Sequence, residues 1–189
     1  MNRLAWLGAF AVALLLSAPS QASGFLEEIR LGIYQHDTGI IGKHKEEGID
    51  YALEGLTRPI QPLWFIGTPR LVYGGAWNSA GQTSQIYVGI DKQLDFLHGT
   101  FMPGDSFFVE GTIGGVWHSG KHDLPDNSPE AAHWKSHGGS FLFRPGLALG
   151  YRINEHWSVA ASLNHISNAN LGSRNEGSNN LGILIGWKL

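Results

Sequence analysis

The stretch FLFRPGLALGYR (residues 141–152) and a second one at the end of the chain, NNLGILIGWKL (residues 179–189), decide the fold. In the first, Phe141, Phe143, Leu147, Leu149 and Tyr151 alternate with Arg144, Gly146, Ala148, Gly150 and Arg152. In the second, Leu181, Ile183, Ile185, Trp187 and Leu189 oppose Gly182, Gly186 and Lys188. Successive side chains of a strand point to opposite faces. A period of two therefore puts bulky apolar groups on one face and small or charged groups on the other. Lipid outside and a narrow, filled lumen inside require that division.

Working outward, six more segments alternate in the same way: Glu28–His36, Gly48–Leu56, Pro69–Trp77, Thr83–Phe96, Ser106–Trp117 and Trp157–Ser167. With Gly139–Ile153 and Asn179–Leu189 they make eight. The expectation is an all-β protein, an eight-stranded antiparallel transmembrane β-barrel whose closure satisfies every backbone group between strands. Glu54, Glu110, Arg144 and Arg152 fall on the minor face and are expected to pair in the lumen. Tyr73, Trp77, Trp117, Tyr151, Trp157 and Trp187 fall near strand ends, as interfacial aromatic girdles do. A soluble lipocalin-like barrel is the rival fold and would turn the apolar face inward.

Composition agrees with a membrane barrel. Only 15% of residues are charged, yet 7 Trp and 26 Gly are present, a poor recipe for a soluble globule. After the first 22 residues no run of 18 apolar residues occurs, which excludes a helical membrane protein. Residues 1–22 have the form of a secretory signal peptide. Arg3 supplies the positive start, Leu4–Leu16 the short apolar core, and Ser20 and Ala22 the small residues before cleavage. That leaves one domain, residues 23–189, with 12 basic and 16 acidic side chains. A net charge of −4 gives no nucleic-acid footprint. Without cysteine there is no disulfide frame and no thiolate metal site. With both termini on the periplasmic side, Asp37–Glu47, His118–Gly138 and Asn168–Ser178 become outer loops. Asn154–His156, Thr57–Thr68 and Leu97–Asp105 become inner connections.

The run NHISNANLGSRNEGSNN (residues 164–180) carries the chemistry. His165 and Ser167 lie two apart at the end of a strand and so share a face with Val159, Ala161 and Leu163, the lipid face. A serine becomes a nucleophile when an imidazole takes its proton, and that imidazole works best when a third group fixes its tautomer. Glu176 and Asn179 are the candidates for the third group. Backbone amides after Ser167, at Asn168 and Ala169, and the side chains of Asn168 and Asn175 are candidate oxyanion donors. Loop chemistry alone also accounts for a run rich in Asn, Gly and Ser.

His165-Ile-Ser167-Asn168-Ala169 followed by Asn175-x-Gly177, at the end of an eight-stranded barrel, resembles the lipid A 3-O-deacylases of the PagL type. The likeness is strongest from Phe141 to the C-terminus. It implies an outer-membrane esterase in which a Ser/His/acid triad on the outside of the barrel removes the 3-O-linked acyl chain of lipid A. It maps the base onto His165, the nucleophile onto Ser167 and the two asparagines of the motif onto Asn168 and Asn175. The triad glutamate of the family falls on Asn179, a departure from the pattern. The expected partners are lipid A or lipopolysaccharide in the outer leaflet and membrane lipid, with no nucleic acid and with a homodimer left open. No metal or organic cofactor is implied. The alternatives are a non-catalytic structural or adhesive barrel and an outer-membrane phospholipase. His118, His122, His133 and His137, with Asp123, Asp126 and Glu130, crowd the longest outer loop without a strong zinc spacing. Lys43, His44 and Lys45 are candidate contacts for lipid phosphates.

Overall fold

The computed structural model describes residues 25–189; the expected signal peptide lies outside them. Nine strands form: β1 Leu26–Gln35, β2 Ile49–Thr57, β3 Arg70–Asn78, β4 Gln85–Phe96, β5 Ser106–His118, β6 Phe141–Phe143, β7 Gly146–Arg152, β8 Trp157–Ile166 and β9 Ser178–Lys188. All pairings are antiparallel between neighbours, and β1 pairs with β9, so the sheet closes on itself. The strands β6 and β7 are two halves of one stave, both paired to β5. The barrel therefore has eight staves. The segment expected as one strand over Gly139–Ile153 is divided because Pro145 has no N–H to give the ladder.

The alternation read from the sequence is the alternation of the wall. Leu31, Ile33, Ile86, Ile113, Leu147, Leu149, Ile183 and Ile185 stand exposed on the outside. Arg30, Glu28, Glu54, Glu110 and Arg144 are buried inside. This is the face distribution of a membrane barrel and the inverse of a lipocalin. The lumen is filled by ion pairs rather than open. Arg30 gives a two-pronged contact to Glu110, at 2.7 Å from each of two nitrogens, and a 2.8 Å bond to Glu28. Arg70 reaches Glu28 and Asp91 at 2.8 and 2.7 Å. Glu54 lies 3.8 Å from Arg144, as expected, and accepts the Tyr87 hydroxyl at 2.8 Å. Glu110 instead pairs with Arg30 and Arg70, and Arg152 lies beside Asp95 near the strand end.

Trp77 and Trp117 sit at one end of the wall, and Tyr151, Trp157 and Trp187 at the other. Tyr73 lies farther in. Its ring lies over Gly55 on the neighbouring strand, where an added Cβ would come within 2.8 Å of it. Four connections gather at the end opposite the termini: L1 (residues 36–48), L2 (79–84), L3 (119–140) and L4 (167–177). The other end carries a tight turn at 153–156 and two longer connections. One of these folds a 3-10 helix over Gln61–Ile66, exposing Trp64 and Phe65, which explains its unusual length.

Candidate active site

His165 and Asn179 are direct cross-strand partners on β8 and β9, so their side chains stand side by side on the outer wall. His165 Nδ1 lies 2.9 Å from Asn179 Oδ1. The amide nitrogen of Asn179 donates to Ile41 O at 2.6 Å. That second bond fixes which way the amide points. Its oxygen faces the ring, so Nδ1 is the nitrogen that carries hydrogen. Nε2 is left with its lone pair and makes no hydrogen bond to protein among the described residues. Asparagine thus fixes a tautomer suited to a base, although it brings no charge.

Ser167 continues β8 by one step. Its N–H donates to Phe143 O at 3.1 Å and its carbonyl accepts from Phe143 N at 2.8 Å. The pairing keeps strand parity, so Ser167 faces outward with His165, beside the exposed rings of Phe141 and Phe143. Ala169 and Asn170 follow, with φ of 54° and 62°, and Leu171 N closes the turn on Asn168 O at 3.0 Å. The left-handed conformation strains Ala169 by roughly 1–2 kcal/mol, whereas asparagine at 170 tolerates it better. The amides of Ala169 and Asn170 find no protein acceptor among the described residues.

The remaining expected site residues hold this turn. Asn175 Oδ1 accepts the Asn168 N–H at 3.0 Å, and Asn175 Nδ2 donates to Asn170 Oδ1 at 2.8 Å. Asn168 Nδ2 donates to His137 O at 3.0 Å and to Arg174 O. Glu176 is not at the imidazole. It accepts from Ser136 N at 2.8 Å and from Lys45 Nζ at 2.5 Å. Burial opposes its ionisation, but Lys45 and the Ser136 amide hold its carboxyl below the usual range.

Two residues at the site have no role assigned from the sequence. Ile41, in L1, carries the acceptor for Asn179 and also lines the groove with His165. Gly177 packs on the imidazole edge, where a Cβ would meet Cε1 at 2.6 Å and Nε2 at 3.0 Å. The motif included this glycine, but spacing alone gave it no task. An apolar groove of about 600 Å³ runs from His165 and Ile41 past Leu163, Leu147 and Ile113 to Ile90 and Ile66. It crosses five staves, β9 to β4, and at a strand spacing near 4.8 Å is roughly 19 Å long.

The loop histidines form no metal set: among the described residues no three His, Asp or Glu side chains converge on one point. His118, His122 and His137 stack edge to face, with centroids 5.4 and 4.6 Å from His118. Of the basic trio in L1, Lys45 pairs with Glu176 and the His44 ring bonds Asp37 O.

No curated protein matches the sequence significantly. The crystal structure of the outer membrane enzyme PagL resembles the chain with a TM-score of 0.59 and 16% identity, over 84% of this chain and 97% of that one. Neisserial surface protein A (NspA) resembles it with a TM-score of 0.50 and 12% identity, over 88% and 97%. At these identities the likeness is one of fold, and it is the outer-membrane barrel fold. The family described as lipid A 3-O-deacylase (PagL) matches residues 61–188, from the connection before β3 to the end of β9. That span contains His165, Ser167 and Asn179, and with it the chain belongs to the lipid A 3-O-deacylase (PagL) family.

Proposed function

We propose that the protein is an outer-membrane esterase that removes the 3-O-acyl chain of lipid A, with L1 to L4 on the outer face. The observation that carries this reading is the His165–Asn179 pair on the lipid-facing wall, at the head of an apolar groove. Ser167 Oγ attacks the ester carbonyl carbon while His165 Nε2 takes its proton. The oxyanion of the tetrahedral intermediate is met by the amides of Ala169 and Asn170, in the turn that Asn168 and Asn175 hold. The intermediate collapses, the C–O bond to the sugar breaks, and His165 returns the proton to the departing 3-hydroxyl. Water activated by His165 then cleaves the acyl-serine and releases the fatty acid. The acyl chain lies in the groove, so the substrate enters sideways from the bilayer.

The test is the mass of lipid A from a Gram-negative host carrying the full chain or Ser167→Ala. Loss of one hydroxyacyl chain with the native sequence and not with Ser167→Ala is expected. Unchanged lipid A in both, with the barrel folded and phospholipids intact, would leave a structural or adhesive role. Lysophospholipid in place of shortened lipid A would make the enzyme a phospholipase.

A further inference from the structure

Lys135 lies in L3, far from β8 in sequence, yet its side chain is only 2% exposed. Its ammonium donates hydrogen bonds to two carbonyls and pairs by charge with one carboxylate oxygen. These are Lys43 O in L1, Gly177 O in L4 at 3.0 Å, and Asp37 Oδ1 in L1 at 3.2 Å. The Lys135 main-chain N–H is also fixed, on Glu46 Oε1 at 2.9 Å. A buried ammonium is costly unless it is paired and hydrogen-bonded; Asp37 pairs this one, and the carbonyls of Lys43 and Gly177 accept from it.

The acceptors matter because of what else those loops touch. Gly177 lies against the Cε1–Nε2 edge of His165. L1 grips the other partner: Ile41 O takes the Asn179 amide, and Thr38 N donates to Asn179 O at 2.7 Å. Asp37 shapes that loop, its Oδ2 accepting the amides of Lys45 and Glu46 at 2.8 and 3.2 Å. One ammonium therefore ties the segment behind the imidazole to the segment behind the amide that orients it.

We propose that Lys135 is a positioning residue for the His165–Asn179 pair. It touches no substrate, and it acts by holding L1 and L4 at a fixed separation. The catalytic part of this inference rests on the proposed function; the geometric part does not.

Full-length protein folded in detergent, with ¹⁵N-labelled histidine, provides the test, the His165 signals being those absent from His165→Gln. Three variants are compared: native, Lys135→Met, and Lys135→Met with Asp37→Asn, which removes the carboxylate left without its cation. In the native protein the His165 nitrogens report the Nδ1–H tautomer. In both variants that tautomer loses population, and the Nδ1 and Nε2 signals of His165 move toward each other. On purified lipid A, kcat falls by about 10²-fold, the cost of an ångström-scale misplacement, while KM changes little. The double variant regains melting temperature but not kcat. The proposal is overturned if His165 keeps its native tautomer population in both folded variants, or if the double variant regains kcat. If the native protein cleaves no lipid A, the proposed function falls, and the histidine signals alone decide the role of Lys135.

Discussion

At the scale of single residues, the imidazole is held by close fits rather than by charge. Asn179 supplies an oxygen on one side, and Gly177 leaves room for the ring on the other. The Gly177 fit gives a direct prediction. In Gly177→Ala the new methyl carbon would lie 2.6 Å from Cε1, and backbone flanks it as well, with Ile166 O at 2.9 Å. The ring must yield. Turnover on lipid A is expected to fall about 10²-fold, with the folded barrel retained as judged by its heat-modifiable migration. Native turnover in that variant would show that the ring has slack. Sequence spacing put His165, Ser167 and Asn179 on one face because strand parity is a local property. It gave no sign of Lys135 or Ile41. Their contacts join loops about 40 to 140 residues apart, and no periodicity encodes such contacts.

At the scale of elements, all eight staves were readable because each alternates on its own. The break at Pro145 was not read from the alternation, which runs unbroken over Gly139–Ile153, although a residue without N–H cannot complete a ladder. The loops were not readable, because polar and glycine-rich composition states only that a segment turns. Their order depends on buried polar groups, which makes it dependent on pH. His36 lies between Asp50 Oδ2 at 2.8 Å and Glu46 Oε2 at 2.9 Å. Burial alone would lower its pKa, but the two carboxylates outweigh burial and push it up to about 9. The unfolded value is near 6.5. This stabilisation is therefore complete below about pH 6.5 and is lost as pH rises through 9. His137 behaves in the opposite way. Burial first, then His118 and Lys135, push it down to about 3. Below pH 6.5 the unfolded chain binds the proton that the folded chain refuses, so stability falls as pH falls toward 3. Amide protection in L1 and L3, corrected for intrinsic exchange, should therefore peak near pH 6.5. His36→Gln should flatten the alkaline limb, and protection that stays level from pH 6 to 10 in the native protein would refute the account.

At the scale of the whole molecule, the lumen is a column of paired charges in a wall of apolar side chains. Eight staves leave room for side chains and no more. The protein should therefore show no stepwise ion conductance in planar bilayers, and a regular open level would contradict the packed interior. Glu110 meets both Arg30 and Arg70. Glu110→Gln leaves those cations short of a counter-charge and should cost about 3–5 kcal/mol, the usual price of breaking a buried pair. The midpoint of urea unfolding in detergent reads that loss. A shift under 1 kcal/mol would mean that water reaches the column.

Under the proposed function, the pairing of β1 with β9 has a consequence for when the protein becomes reactive. Asn179 belongs to the last strand made, and the carbonyl that orients it, Ile41 O, follows the first. The seam between those strands runs beside the His165–Asn179 pair. A nascent or half-threaded chain thus carries the serine and the histidine but not the arrangement that arms them. Under the proposed function the chain is its own safety catch: it travels disarmed, and ring closure is the step that switches it on.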